Sequence, residues 1–220
     1  NGVAYRIVGG MKFFDRAEVK DMLSYLCVIN NPSDDLRLRR IINTPARAIG
    51  PTTVERVQAL AEREGCSMFD IARQAGAYQE LRTAAAKLEK FAAMIDGPRD
   101  ALETMDLPEF YEEVCCRSGY TQALEEKNDV ESRARLENVQ ELKSSILNFL
   151  ENDPEDRTLS GFLNEIALFT DLDAVNADED AVTLMTIHSA KGLEFPVVYV
   201  VGMEEGIFPG ASAQYDQEEL

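Results

Sequence analysis

Apolar residues recur at helical spacing along most of the chain, and only near its two ends does the pattern become strand-like. At the start, Tyr5-Arg6-Ile7-Val8 reads as a short strand closed by Gly9-Gly10. Asp15-Arg16-Ala17-Glu18 then reads as a capping box opening a helix. Val19, Met22, Leu23, Leu26 and Ile29 share one face of that helix, and Asn30-Asn31-Pro32 ends it. A second helix is expected over 33–43, before Pro45. A third starts at Gly50-Pro51, sets Val54, Val57, Leu60 and Ala61 on one face, and stops at Gly65. Amphipathic segments follow at 67–74, 78–95, 108–117, 130–150 and 159–169, with no strand signal between them.

Over 170–181 the periodicity lapses into TDLDAVNADEDA, which has little to bury and reads as an exposed linker. Beyond it, VTLMTI (182–187) and VVYVVGM (197–203) are nearly continuous β-branched and apolar runs, the composition of strands buried on both faces of a covered sheet. Strands at the two ends must pair with each other or with strands elsewhere, because the residues between them offer only helices. Three strands without covering helices cannot bury a sheet. The expected architecture is therefore mainly α, with a helical domain inserted into an incomplete α/β domain.

Composition narrows the function classes. With 220 residues, 45% hydrophobic and 28% charged, the chain can bury a substantial core. No apolar run approaches the ~20 residues of a membrane span, and the first residues carry no secretory signal, so a cytoplasmic protein without membrane contact is expected. Cys27, Cys66, Cys115 and Cys116 form no C-x-x-C pair and read as reduced thiols. With His188 the only histidine, no metal site is predicted. The net charge of −18 opposes phosphate binding, so any function on DNA must be local. Residues 36–63 carry six arginines (Arg37, Arg39, Arg40, Arg47, Arg56, Arg63) against Glu55 and Glu62, a local +4 with −22 elsewhere. That asymmetry is either a basic face or an ordinary solvated helix surface.

The one segment with chemistry at a strand end is TIHSAKGLEF, 186–195, which follows the 182–187 strand at the carboxyl edge where open α/β sheets bind ligands. Thr186, His188 and Ser189 can donate to phosphate or sugar. Lys191 adds charge, Gly192 admits close backbone approach, and Glu194 can accept from a ribose hydroxyl. An ordinary loop between core strands has the same composition, and Lys191 reads equally as a solvated lysine. No G-x-x-x-x-G-K-[ST] phosphate loop occurs in the sequence, and Asp178-Glu179-Asp180 lacks the preceding strand a Walker B acid needs. No catalytic acid, base or nucleophile set is found.

TIHSAKGLEFPVVYVVGMEEGIFP, 186–209, resembles motif V and its extension in superfamily-one DNA helicases of the UvrD/PcrA/Rep group, closest to the PcrA branch. YRIVGGMKFFDRAEVKDMLSYL, 5–26, resembles that family's exit from its second RecA-like motor domain, 2A, into the inserted helical domain 2B. INTPARAIGPTTVERV, 42–57, is similar to the segment by which 2B touches duplex DNA, departing from the family's glycine-isoleucine-glycine at Ala48. The resemblance covers essentially the whole chain. It implies 2A pieces at 1–13 and 181–220, 2B at 14–180, and a parent that is an ATP-dependent 3′ to 5′ helicase.

Carried over by residue, the resemblance implies single-stranded DNA contacts at Thr186 and His188 and nucleotide contacts at Gly192 and Glu194. It implies duplex contacts at Arg47, Gly50, Thr52 and Thr53. For the last three, helix capping without a ligand is the plain alternative. ATP and Mg²⁺ would serve the intact motor and none is expected on this chain alone, which lacks Walker A and the arginine-bearing motif VI. Repair or replication proteins are the further partners implied. The competing class is an acidic helical protein-interaction module, distinguished by whether residues 5–8 and 182–201 share one sheet. A swivel of the helical domain is expected about 13–16 and 170–181.

Overall fold

The computed structural model describes residues 5–8, 13–99, 101–102, 104–152, 156–175, 182–185, 190 and 194–204. The chain divides into two compact units, Met11–Glu179 and a second made of Asn1–Gly10 with Asp180–Leu220.

The larger unit is helical. A 3₁₀ turn at Phe13–Asp15 leads into α1 (Ala17–Asn30), followed by α2 (Asp35–Ile41), α3 (Pro51–Glu64) and α4 (Met68–Arg73). After two 3₁₀ turns come α5 (Ala85–Arg99), α6 (Leu107–Ser118), α7 (Tyr120–Lys127), α8 (Val130–Asn152) and α9 (Leu159–Val175). The axis of the unit is α1. Val19, Met22, Tyr25, Leu26, Val28 and Ile29 are wholly buried, and α2, α5, α6, α8 and α9 all pack against this helix. A helix buried on most of its faces belongs inside a bundle, and each of its buried aliphatic side chains stabilises the fold by roughly 1.5–3 kcal/mol.

Several boundaries differ from the sequence reading. The N-cap of α1 is Arg16 without a side-chain cap, not Asp15. Phe13 and Phe14 pack on the core and draw residues 13–15 into the 3₁₀ turn, while Glu18 is buried and accepts from Asn138 Nδ2 of α8 at 2.6 Å. The helix expected over 78–95 starts only at Ala85, after 3₁₀ turns at Ala75–Ala77 and Gln79–Leu81 that still bury Leu81. Helix α7 carries only Tyr120 and Leu124 as buried residues, too few for a legible pattern, and was not expected. The expected linker is helical over its first half, because α9 runs on to Val175; residues 176–181 lie outside the described residues.

In the smaller unit, β1 (Tyr5–Val8) and β2 (Val182–Met185) pair in parallel, Tyr5 opposite Val182 and Val8 opposite Met185. The chain thus leaves one strand, builds the helical unit and returns to the adjacent strand. The expectation of strands buried on both faces is corrected. Val182 and Leu184 are about half exposed, and residues 194–204 form no strand, with Tyr199 and Val201 each 86% exposed. Among the described residues this unit has no further strand and no helix.

Candidate nucleic-acid interface

The segment between α2 and α3 is tied into one shape. Asn43 Oδ1 accepts from the backbone N–H groups of Arg47 (2.8 Å) and Ile49 (3.1 Å), the Ile49 side chain is buried, and the Thr44–Pro45 peptide is cis. Ala48 sits at φ 55°, in the left-handed region that favours glycine. This is the position at which the sequence departs from the family pattern. The loop ends at Gly50, the extended N-cap of α3, and Pro51 occupies the first helical position.

The start of α3 has the chemistry of an anion site. Gly50 makes no side-chain cap, and its carbonyl accepts from Thr53 N (2.9 Å) and Val54 N (3.2 Å). Among the described residues, the N–H groups of Gly50 and Thr52 make no hydrogen bond within the protein. Thr52 is exposed and Thr53 half-buried, and a Cβ at Gly50 would meet nothing within 4 Å. Two backbone donors and the positive end of the helix dipole therefore face open space, with the exposed Thr52 beside them.

Arg47 is placed otherwise than the sequence reading expected. Its guanidinium is turned inward onto groups of the protein. Nη1 donates to Ile41 O (3.0 Å) and Pro45 O (3.1 Å), and Nη2 donates to Tyr25 Oη (2.6 Å) and Ser118 O (2.7 Å). The group also lies over the rings of Tyr25 and Phe91, 5.8 and 5.5 Å from their centroids. Burial pushes the Tyr25 phenol up to about 12 against the opposing pull of Arg47, so the phenol stays protonated and donates to Thr44 O.

The other arginines of 36–63 are less basic as a face than their number suggests. Arg37 pairs with Asp34 (2.7 Å), Arg40 with Asp21 (2.6 Å), and Arg63 with Glu64 (3.0 Å) and Glu80 (3.1 Å). Arg39 donates to Gln58 and Arg56 to the Glu80 carbonyl, so these two keep their charge without a described carboxylate partner. The sequence reading missed Lys87. Exposed in the first turn of α5, it donates from Nζ to Ala48 O at 3.2 Å and brings a cation beside the loop. One lysine on a helix face gives no local signal, and only the packing of α5 joins positions 39 apart.

Of the second candidate site, Glu194 is described and exposed. Thr186, His188, Lys191 and Gly192 lie outside the described residues. Among the described residues no group of three or more His, Cys, Asp or Glu could hold a metal ion, and the four cysteines are free thiols. No helix among them is long and apolar enough to cross a membrane.

A two-strand parallel pairing interrupted by a helical body, with an anion-competent helix start on that body, defines a class that comparison makes specific. The chain belongs to the family described as UvrD-like helicase C-terminal domain, whose profile matches residues 1–220. It is 39% identical over 225 residues to the ATP-dependent DNA helicase PcrA of Bacillus subtilis, a match that takes in all of this chain and 30% of that protein. It is 43% identical over 210 residues to PcrA of Staphylococcus aureus strain Mu50, covering 95% of this chain and 29% of the relative. PcrA of Staphylococcus epidermidis is 42% identical over the same length. The chain thus spans under a third of these curated relatives.

Proposed function

We propose that this chain is part of an ATP-dependent 3′ to 5′ DNA helicase, in which the helical body, residues 14–180, is an accessory 2B domain inserted into a RecA-like 2A domain at 1–13 and 181–220. The observation that carries this reading is the match along the whole chain to helicases of one name at 39–43% identity. The parallel β1–β2 pairing is consistent with it, since an insertion must leave and rejoin one sheet.

In this reading the α3 start holds a duplex phosphate. The N–H groups of Gly50 and Thr52 and the hydroxyls of Thr52 and Thr53 donate to it, and Lys87 supplies the nearby charge. Such contacts position a domain on DNA without reading sequence. Thr186 and His188 contact the single strand, and Gly192 and Glu194 the nucleotide. The sequence carries no G-x-x-x-x-G-K-[ST] phosphate loop, and in this reading ATP and Mg²⁺ serve the intact motor. Both would be held mainly by other parts of the whole protein.

The test is a fluorescence titration of the chain with a labelled duplex across a salt series. Binding is expected to be weak and to fall steeply with salt, because the surface elsewhere repels phosphate. Gly50→Ser adds a side-chain cap that competes with the phosphate, while fold stability changes by only a few tenths of a kcal/mol. Its affinity is expected to drop; affinity equal to wild type would remove the α3 start from the interface.

A further inference from the structure

We infer that Arg47 is a positioning residue that sets the geometry of the 42–50 loop through helices α1, α5 and α6, and that it is not itself a phosphate ligand. The inference rests on the reading of that loop as a duplex contact. Four of the five guanidinium N–H groups are already engaged, by a helix end (Ile41 O), the loop itself (Pro45 O), a buried phenol on α1 (Tyr25 Oη) and the last residue of α6 (Ser118 O). A phosphate could capture the fork only by stripping partly buried carbonyls of their donors, which is costly.

The contacts continue beyond Arg47 and close into a ring. Ser118 Oγ donates to Cys115 O and accepts from Tyr120 N (3.3 Å). Tyr120 Oη donates to Asp21 Oδ2 (2.7 Å), and Asp21 Oδ1 accepts from Arg40 Nε (2.6 Å) on α2. Helix α2 leads back into the loop that carries Arg47. The loop is thereby tied to the α6–α7 corner, 71 residues away in sequence. Cation–π contact with Phe91, and Lys87 on Ala48 O, add α5 as a third support. A movement of the α6–α7 corner would move the Ser118 carbonyl, release one arm of the fork and disturb the line of donors leading into Gly50.

The experiment compares Arg47→Lys and Arg47→Gln in the 220-residue chain, by amide hydrogen exchange and by duplex titration over a salt series. Lysine keeps the charge but cannot hold four acceptors in one plane. Both variants should speed exchange at the amides of residue 47 and Ile49 by at least roughly tenfold while the centre of α1 stays protected. Both should weaken duplex binding by roughly tenfold with the salt slope unchanged.

Wild-type affinity in Arg47→Lys, or a salt slope reduced by about one in Arg47→Gln alone, would make Arg47 a direct phosphate contact and overturn the inference. If the wild-type chain binds no duplex, the interface reading fails, and the exchange arm still decides: unchanged protection of the loop in Arg47→Lys refutes positioning. Should Arg47→Lys not fold, Tyr25→Phe removes one acceptor and keeps the arginine. The same local rise in exchange is expected there, and its absence would overturn the inference.

Discussion

Ala48 holds a backbone conformation in which an L side chain crowds its own carbonyl, and it does so where the loop must turn into α3. The Asn43 bonds and the buried Ile49 side chain on either side of it hold the strain in place. Ala48→Gly is expected to stabilise the chain by about 0.5 kcal/mol, the relief of left-handed strain less the added freedom of the unfolded glycine; urea unfolding measures it. Tyr25 has a second, pH-linked consequence. Its folded value of about 12 lies above the ordinary phenol value near 10, so the folded state holds its proton more tightly than the unfolded chain does. Its contribution is fully present below about pH 10 and is lost as pH rises through about 12, a fall of order 2–3 kcal/mol. Unfolding free energies between pH 9 and about pH 12 should drop less steeply in Tyr25→Phe than in wild type.

At the scale of elements, the Gly65 stop was legible in the sequence, whereas the capping box expected at Asp15–Glu18 forms instead at the start of α4. Ser67 and Asp70 form a reciprocal capping box at α4, and Gly65 stops α3 at φ 67°. Gly119 ends α6 at φ 70° and starts α7 directly, which makes the sharp corner that Arg47 grips. A Cβ there would meet nothing within 4 Å, so the cost of substitution is all backbone. Gly119→Ala is expected to destabilise the chain by about 1 kcal/mol and to speed exchange in the 43–50 loop, read by thermal unfolding and hydrogen exchange. The proposed swivel points also shift in meaning. Arg16 binds Asn138 of α8 and lies over the Phe13 ring, and residues 170–175 continue α9, so residues 13–16 and 170–175 are tied into the helical unit.

For the whole molecule the governing fact is the surplus of acid. A charge of −18 keeps the surface repulsive to DNA, and pairing of Arg37, Arg40 and Arg63 with carboxylates trims the basic segment further. Duplex binding by this chain should therefore come from the α3 start, Lys87, Arg39 and Arg56. Lys87→Gln is expected to lower affinity several-fold and reduce the salt slope by about one, measured in the same titration. Purified chain should hydrolyse no ATP above background, with or without single-stranded DNA, in a coupled phosphate-release assay. DNA-stimulated turnover would show that it forms a nucleotide site of its own.

Local periodicity determined most of the helices, because apolar spacing acts within a few residues, while α7 and the late start of α5 were decided by packing. The long strings resembling helicase motifs determined the family for the same reason, being read directly along the chain. The parallel order of Tyr5–Val8 beside Val182–Met185 was foreseeable only as one of two pairings, and the structure chose it. What the tertiary structure alone decided is which cations remain free. Arg47 and Lys87 are both single positive residues in sequence, yet packing turned one inward onto Tyr25 and Ser118 and left the other exposed beside Ala48. The reason is physical: a guanidinium satisfies itself wherever several carbonyls converge, and in this fold that convergence arises only when helices distant in sequence pack together.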